Sequence, residues 1–193
     1  MSNNKSHNAV RAMIEGAVMV AVAEILGTFL KIGHLPNGGS VSLMMLPIIL
    51  YALRWGLSRG LLAGLALGLV DIVTGDGFIA IGWQSVIGDY IAACTLIGLA
   101  GVGHKKGLPG VVIGSVVGCL GRFAAVWVTG ATLWGEYMPE TFLGLTMTNE
   151  WFYSLLYNGI TVGASGLVTV VICVALYNVK AIQKYMLGQD IAE

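Results

Sequence analysis

Residues Gly121–Asn158 read GRFAAVWVTGATLWGEYMPETFLGLTMTNEWFYSLLYN. An apolar run carrying one arginine, Arg122, ends near Trp134. A loop with Glu136, Glu140 and Glu150 follows, and a second apolar run opens around Trp151, Tyr153, Tyr157 and Asn158. A charge inside an apolar helix, an aromatic plate and hydrogen-bonding groups bracketing one loop predict a ligand pocket at the edge of a membrane.

The rest of the chain has the composition of a wall around that pocket. Its 193 residues are 56% hydrophobic and only 10% charged, with a mean hydropathy of +0.83; soluble domains carry about 25% charged residues. Apolar runs fall at about 9–31, 41–56, 59–75, 83–103, 109–131 and 155–178, most of them near the length of a spanning helix. The second and third are short, which calls for tilt or burial among neighbours. The runs lack the apolar/polar dyad of outer-membrane strands. The expected fold is therefore all-α, a polytopic integral membrane protein with residues 1–193 in one compact six-helix bundle. The first run is too long for a signal-peptide core and has no clear cleavage site. Zero net charge speaks against a nucleic-acid surface. Cys94, Cys119 and Cys173 sit in apolar segments without metal spacing and read as packing residues. His7, His34 and His104 fall in the tail or loops, and no serine or cysteine has a partnered base nearby, so neither a metal site, a cofactor nor an enzyme is expected.

Eight of the ten Lys and Arg residues fall on one side of this arrangement: Lys5, Arg11, Arg54, Arg59, Lys105, Lys106, Lys180 and Lys184. The positive-inside rule makes that side, with both termini, cytoplasmic. The loops at Pro36–Ser40 and Gly75–Gly77 and the long acidic loop then face outward, in a multi-pass protein of the cell membrane. Gly60, Gly64 and Gly68, and likewise Gly110, Gly114 and Gly118, recur every four residues and predict close helix packing. Ala17 and Ala21 form a similar small pair on the first helix, open to packing within the bundle or to a partner helix.

Four ionisable residues are placed inside the membrane, where a lone charge costs on the order of 3 kcal/mol: Glu24, Asp71, Asp89 and Arg122. Asp89 and Arg122 are expected at matching depths, either as a buried ion pair between the fourth and fifth helices or as groups reaching into a cavity. Tyr90, Trp134, Tyr153 and Asn158 at the same level favour the cavity. Asp71 reads as the mark of where the third helix meets water. Glu24 either packs on a polar neighbour or touches ligand, and Glu15 pairs with Arg11 four residues before it. Trp55, Trp83 and Trp151 fit an interfacial belt, with Trp127 deeper.

The runs PNGGSVSLMMLPIIL (36–50), QSVIGDYIAACTLIGLAG (84–101), Arg122 with Trp134 and Tyr137, and YSLLYNG (153–159) together resemble the thiamine-specific S-component, the substrate-binding subunit of energy-coupling-factor vitamin transporters. The resemblance covers almost the whole chain. It implies a non-enzymatic membrane protein that captures thiamine from outside and works with a transmembrane coupling subunit and two cytoplasmic ATPases. It also implies that AVMVA (17–21) is the partner-contacting motif, through Ala17 and Ala21. By the same resemblance the substrate-binding residues are Asp89 and Tyr90 on the fourth helix, Arg122 in place of a lysine, a stacking Trp134, and Tyr153 and Asn158 on the sixth.

Three departures stand out. Val126 replaces a histidine, Gly38 replaces a tryptophan in the first outer loop, and one extra residue precedes Asp89. Trp127, Trp83 or Phe78 are candidates to fill the vacated space. Two other readings remain open here: a thiamine precursor or related small ring as ligand, and a stand-alone proton-coupled carrier using Asp89, Asp71 or Glu24.

Overall fold

The computed structural model describes residues 2–33, 35, 39–74, 80 and 82–189, with side chains from Ser6 onward. His34, Gly38, the loop at Gly75–Gly77 and Phe78 lie outside the described residues. The helices are α1 (Ser2–Phe29), α2 (Met45–Trp55), α3 (Leu57–Thr74), α4 (Trp83–Gly103), α5 (Gly107–Leu133), α6 (Glu150–Tyr177) and α7 (Lys180–Met186). Five of them are long and apolar enough to cross a membrane, and α2 is a shorter apolar helix of 11 residues. The chain is thus a helical membrane protein. The loop before α6 adds a two-stranded hairpin, β1 (Thr141–Phe142) with β2 (Leu145–Thr146).

α1 begins at Ser2 rather than near 9, and two later boundaries differ from the periodicity reading by four residues or more. α2 begins at Met45 rather than near 41, because Val41 is still extended in a bridge with Ile32. α6 begins at Glu150 rather than 155, because the Asn149 side chain accepts the Phe152 N–H at 2.8 Å. That cap satisfies an otherwise orphaned donor and starts the helix one turn early.

The centre of the bundle is α4, gripped from two sides by glycines. A Cβ on Gly68 of α3 would lie 2.7 Å from the Tyr90 carbonyl, and one on Gly118 of α5 would lie 2.6 Å from that of Ile97. Gly60 and Gly64, and Gly110 and Gly114, meet the same helix in the same way. Such contact lets backbones approach without intervening side chains, and it fixes the depth of α4 between α3 and α5.

α1 buries a small-residue stripe, Ala12, Gly16, Ala23 and Gly27, against its neighbours. Glu15 and Glu24 are nine residues apart, about two and a half turns, so they fall on opposite edges of that stripe. Glu24 Oε1 accepts from Thr74 of α3 at 2.9 Å and from Thr28 at 3.1 Å. The reading of Glu24 as packed on a polar neighbour is the one this geometry matches.

Glu15 does more than pair with Arg11. It accepts from Arg54 Nε at 2.7 Å, Arg54 Nη2 at 3.1 Å, Trp55 Nε1 at 2.8 Å and Arg11 Nε at 3.0 Å. Arg54, at the turn between α2 and α3, has a side chain that is 0% exposed. Its guanidinium lies over the Tyr185 ring at 4.2 Å, and Nη1 donates to the Tyr185 carbonyl at 2.7 Å. This cluster ties α1, the end of α2 and α7 together. His104 Nδ1, 2.8 Å from the Leu53 carbonyl, brings the α4–α5 turn to the same end. Arg11, Arg54 and His104 therefore gather at one end of the bundle, and the long hairpin loop lies at the other.

Candidate functional site

Near the hairpin end, α1 to α6 enclose a cavity of about 210 Å³. Asp89, Tyr90, Arg122, Trp134, Tyr153 and Asn158 all lie on its wall, as does Val126. The local reasons differ for each helix. On α6, Tyr153, Ser154, Tyr157, Asn158 and Thr161 recur at three- and four-residue spacing, which puts them on one helical face. On α4, Asp89 and Tyr90 sit in a π-helical stretch, Val86–Ala92. A π-turn winds an extra residue into a helix without ending it, and such turns concentrate at functional sites. A second π-helical stretch, Gly159–Gly163, follows Asn158 on the facing wall.

Asp89 is held rather than loose. Its Oδ2 accepts from the Trp134 indole N–H at 2.9 Å and from the Ser85 hydroxyl at 2.8 Å. Among the described residues its Oδ1 has no donor. Asn158 is oriented the same way: its amide nitrogen donates to the carbonyls of Val126 at 3.3 Å and Ser154 at 3.0 Å, which leaves the amide oxygen as an acceptor. Two fixed acceptors beside an indole suit a planar ligand with N–H donors.

Arg122 is not Asp89's partner, and the two are not at one depth. Its Nη1 faces the Met44 sulfur at 3.3 Å and the Cys94 sulfur at 3.4 Å. Cys94 is five residues along α4 from Asp89, about 7 Å at the rise of a helix. The carboxylate and indole thus mark the outer part of the cavity, and the guanidinium marks its floor. Thioether and thiol sulfurs are weak acceptors, so the guanidinium retains donor capacity for a ligand.

Lys31, Asp71 and Ser154, which the sequence reading did not place at the site, also line the cavity, as does Tyr157. Asp71 does not mark water at the end of α3; it is 8% exposed and faces the cavity. Its signal was present, since a carboxylate in an apolar run is costly unless it meets a polar interior. Tyr157 was visible four residues after Tyr153. Its hydroxyl accepts the Gly39 N–H at 2.7 Å, and the Ser165 hydroxyl accepts the Ser42 N–H at 3.0 Å. These bonds fasten the α1–α2 connection to α6. A side chain at Gly39 would collide with the Tyr157 ring. The β1–β2 hairpin turns through Leu143 and Gly144, both at positive φ as a two-residue type I′ turn requires. It lays Phe142 edge-on against Tyr153 at 5.4 Å. Trp83 is 69% exposed, and Trp127 stacks on Phe123 and meets Trp151 edge-on. Neither lines the cavity, so neither fills the space left by Val126.

Comparison with known proteins agrees with the fold. Residues 13–185 match the thiamine transporter protein family. The chain is 37% identical over 190 residues to the thiamine transporter ThiT of Bacillus subtilis, covering 90% of this chain and 93% of that protein. It is 26% identical over 195 residues to the thiamine transporter ThiT of Lacticaseibacillus paracasei, with 91% and 90% covered. The solved structure of ThiT from Listeria monocytogenes superposes with a TM-score of 0.79 at 25% identity, over 93% of this chain and 98% of that one. This chain belongs to the thiamine transporter protein family.

Proposed function

We propose that this protein binds thiamine in the cavity between α1 and α6 and serves as the S-component of an energy-coupling-factor transporter. The observation that carries this reading is the Asp89 carboxylate, fixed by Trp134 and Ser85 in a cavity that the Asn158 amide also lines. An aminopyrimidine donates to such acceptors, and the charge-assisted bonds are the stronger ones. Trp134 offers a face for stacking, and a thiazolium cation is favoured near a carboxylate and aromatic rings. Tyr90, Tyr153 and Arg122 orient the ligand. Gly39 and Ser42, tied to α6, and Phe142 of the β1–β2 hairpin flank the hairpin end. With the basic end in the cytoplasm, both termini are inside and the cavity opens outward.

Purified protein is expected to show saturable quenching of its tryptophan fluorescence by thiamine, with a Kd below about 1 μM, an affinity worth about 8 kcal/mol. No response at higher vitamin concentrations would end the thiamine assignment. The pyrimidine-precursor reading draws on Val126, an apolar side chain on the cavity wall. If a free aminopyrimidine displaced thiamine at equal concentration, that alternative would lead.

Transport requires partners, and Ala17 and Ala21 are both exposed on α1. A small, exposed pair on a membrane helix suits close approach by the helices of a coupling subunit. Ala17→Trp/Ala21→Trp is expected to leave thiamine affinity unchanged and to cut uptake by about tenfold, the scale of a coupling of roughly 1–3 kcal/mol. Vesicles carrying the coupling subunit and both ATPases provide the measurement. Uptake equal to wild type would remove this face from the interface.

A further inference from the structure

We propose that Asp71 sets the preference of this cavity for a positively charged ring, a role that rests on the thiamine reading above. Four charged side chains line the cavity among the described residues: Lys31, Asp71, Asp89 and Arg122. The two carboxylates balance the two cations. They belong to different walls. Asp89 lies on α4, tied to Trp134 at the end of α5, whereas Asp71 lies on α3. One oxygen of Asp89 is already engaged by an indole and a hydroxyl.

A two-ring ligand whose pyrimidine meets Asp89 presents its second ring to the Asp71 wall. Thiazolium carries a permanent charge that proton transfer cannot remove, so the site must tolerate it as a cation. In a water-poor cavity, opposite charges attract and like charges repel far more strongly than in bulk water. Without Asp71, a cationic ring would enter a cavity holding two cations and one carboxylate. The seam behind that wall is acidic as well. Glu24 is 9% exposed, its Oε2 is buried with no partner among the described residues, and its Oε1 is held by Thr74, three residues along α3 from Asp71. The negative field on this side has no use for a neutral pyrimidine but stabilises a charged second ring. Asp71 thereby separates the whole vitamin from a neutral ligand of the same shape.

The test compares thiamine with its 3-deaza analogue, in which a neutral thiophene replaces the thiazolium and leaves the pyrimidine unchanged. Titration calorimetry on wild type and Asp71→Asn gives an internal control, because binding of the neutral analogue reports an intact cavity. Asp71→Asn is expected to lose about tenfold or more of the preference for thiamine over the analogue, with affinity for the analogue nearly unchanged. Asp71→Ser gives the same readout with a smaller side chain should the amide disturb packing. A preference kept within twofold of wild type, or equal weakening of both ligands, would overturn the role. Wild type that binds neither compound would instead refute the thiamine reading itself.

Discussion

Asp89→Ala is expected to weaken thiamine binding by about two to three orders of magnitude while the bundle stays folded. Truncating one partner of a buried, hydrogen-bonded charge pair costs about 2–5 kcal/mol, and each 1.4 kcal/mol is about tenfold in affinity. Asp89 reaches that range because it carries two tasks. Its Oδ1 is an open acceptor on the cavity wall, and its Oδ2 holds the Trp134 indole at 2.9 Å. Removing it takes away a ligand contact and releases the aromatic face on which the ligand stacks. It also leaves the indole N–H and the Ser85 hydroxyl without their acceptor. Asp89→Asn keeps an oxygen for the indole and loses the charge, so its loss is smaller. The packing of α4 against α3 and α5 runs through glycines and backbone carbonyls and does not involve the carboxylate. Calorimetry gives the affinities and a thermal melt gives the fold. An Asp89→Ala protein that bound thiamine within threefold of wild type would remove Asp89 from the site.

The largest stability effect is expected at the opposite end. Glu15→Ala leaves the Arg54 guanidinium buried between the Trp55 and Tyr185 rings without the carboxylate that accepts from its Nε and Nη2. Breaking a buried pair by removing one partner costs about 3–5 kcal/mol, because the remaining charge is stranded. For a chain of this size that corresponds to a fall of about 10 °C in Tm. Replacing both partners is milder, since the desolvation penalty of the arginine goes with it. Glu15→Ala/Arg54→Met is therefore expected to recover most of the loss. The coupling energy of the double-mutant cycle is the diagnostic quantity. Melting temperatures of the four proteins in one detergent measure it. If the two single effects simply added, Glu15 and Arg54 would not be acting as a unit.

The two ends differ in how readable they were. Arg122 and Asp89 are conspicuous in sequence because a charge in an apolar run has few inexpensive locations. Their relation to each other was not readable. Counting from helix ends set them level, yet a π-helical stretch lies within α4, and glycine contacts set its height against α5. The role of Arg54 is hidden in sequence for the complementary reason. At the end of a short helix beside Trp55 and Gly56 it looks solvated, and only the return of α7 buries it. Asp71 was recognised as a costly charge but assigned to water, because nothing local to α3 reveals that α1 and α4 enclose it.

By itself, the sequence determined the solvent of this protein, the approximate helices, the asymmetry of its cations and a set of six residues that all reach one cavity wall. Those properties follow from local chemistry: apolar runs, the cost of charge in lipid, and the spacing of side chains along one helix. Only the tertiary structure decided which groups meet across helices. Asp89 holds Trp134 rather than Arg122, Asp71 faces the cavity, and Glu15 neutralises Arg54. The physical reason is that helical periodicity specifies a face and not a height. Height is set where backbones touch, at glycines whose contacts lie on a different helix.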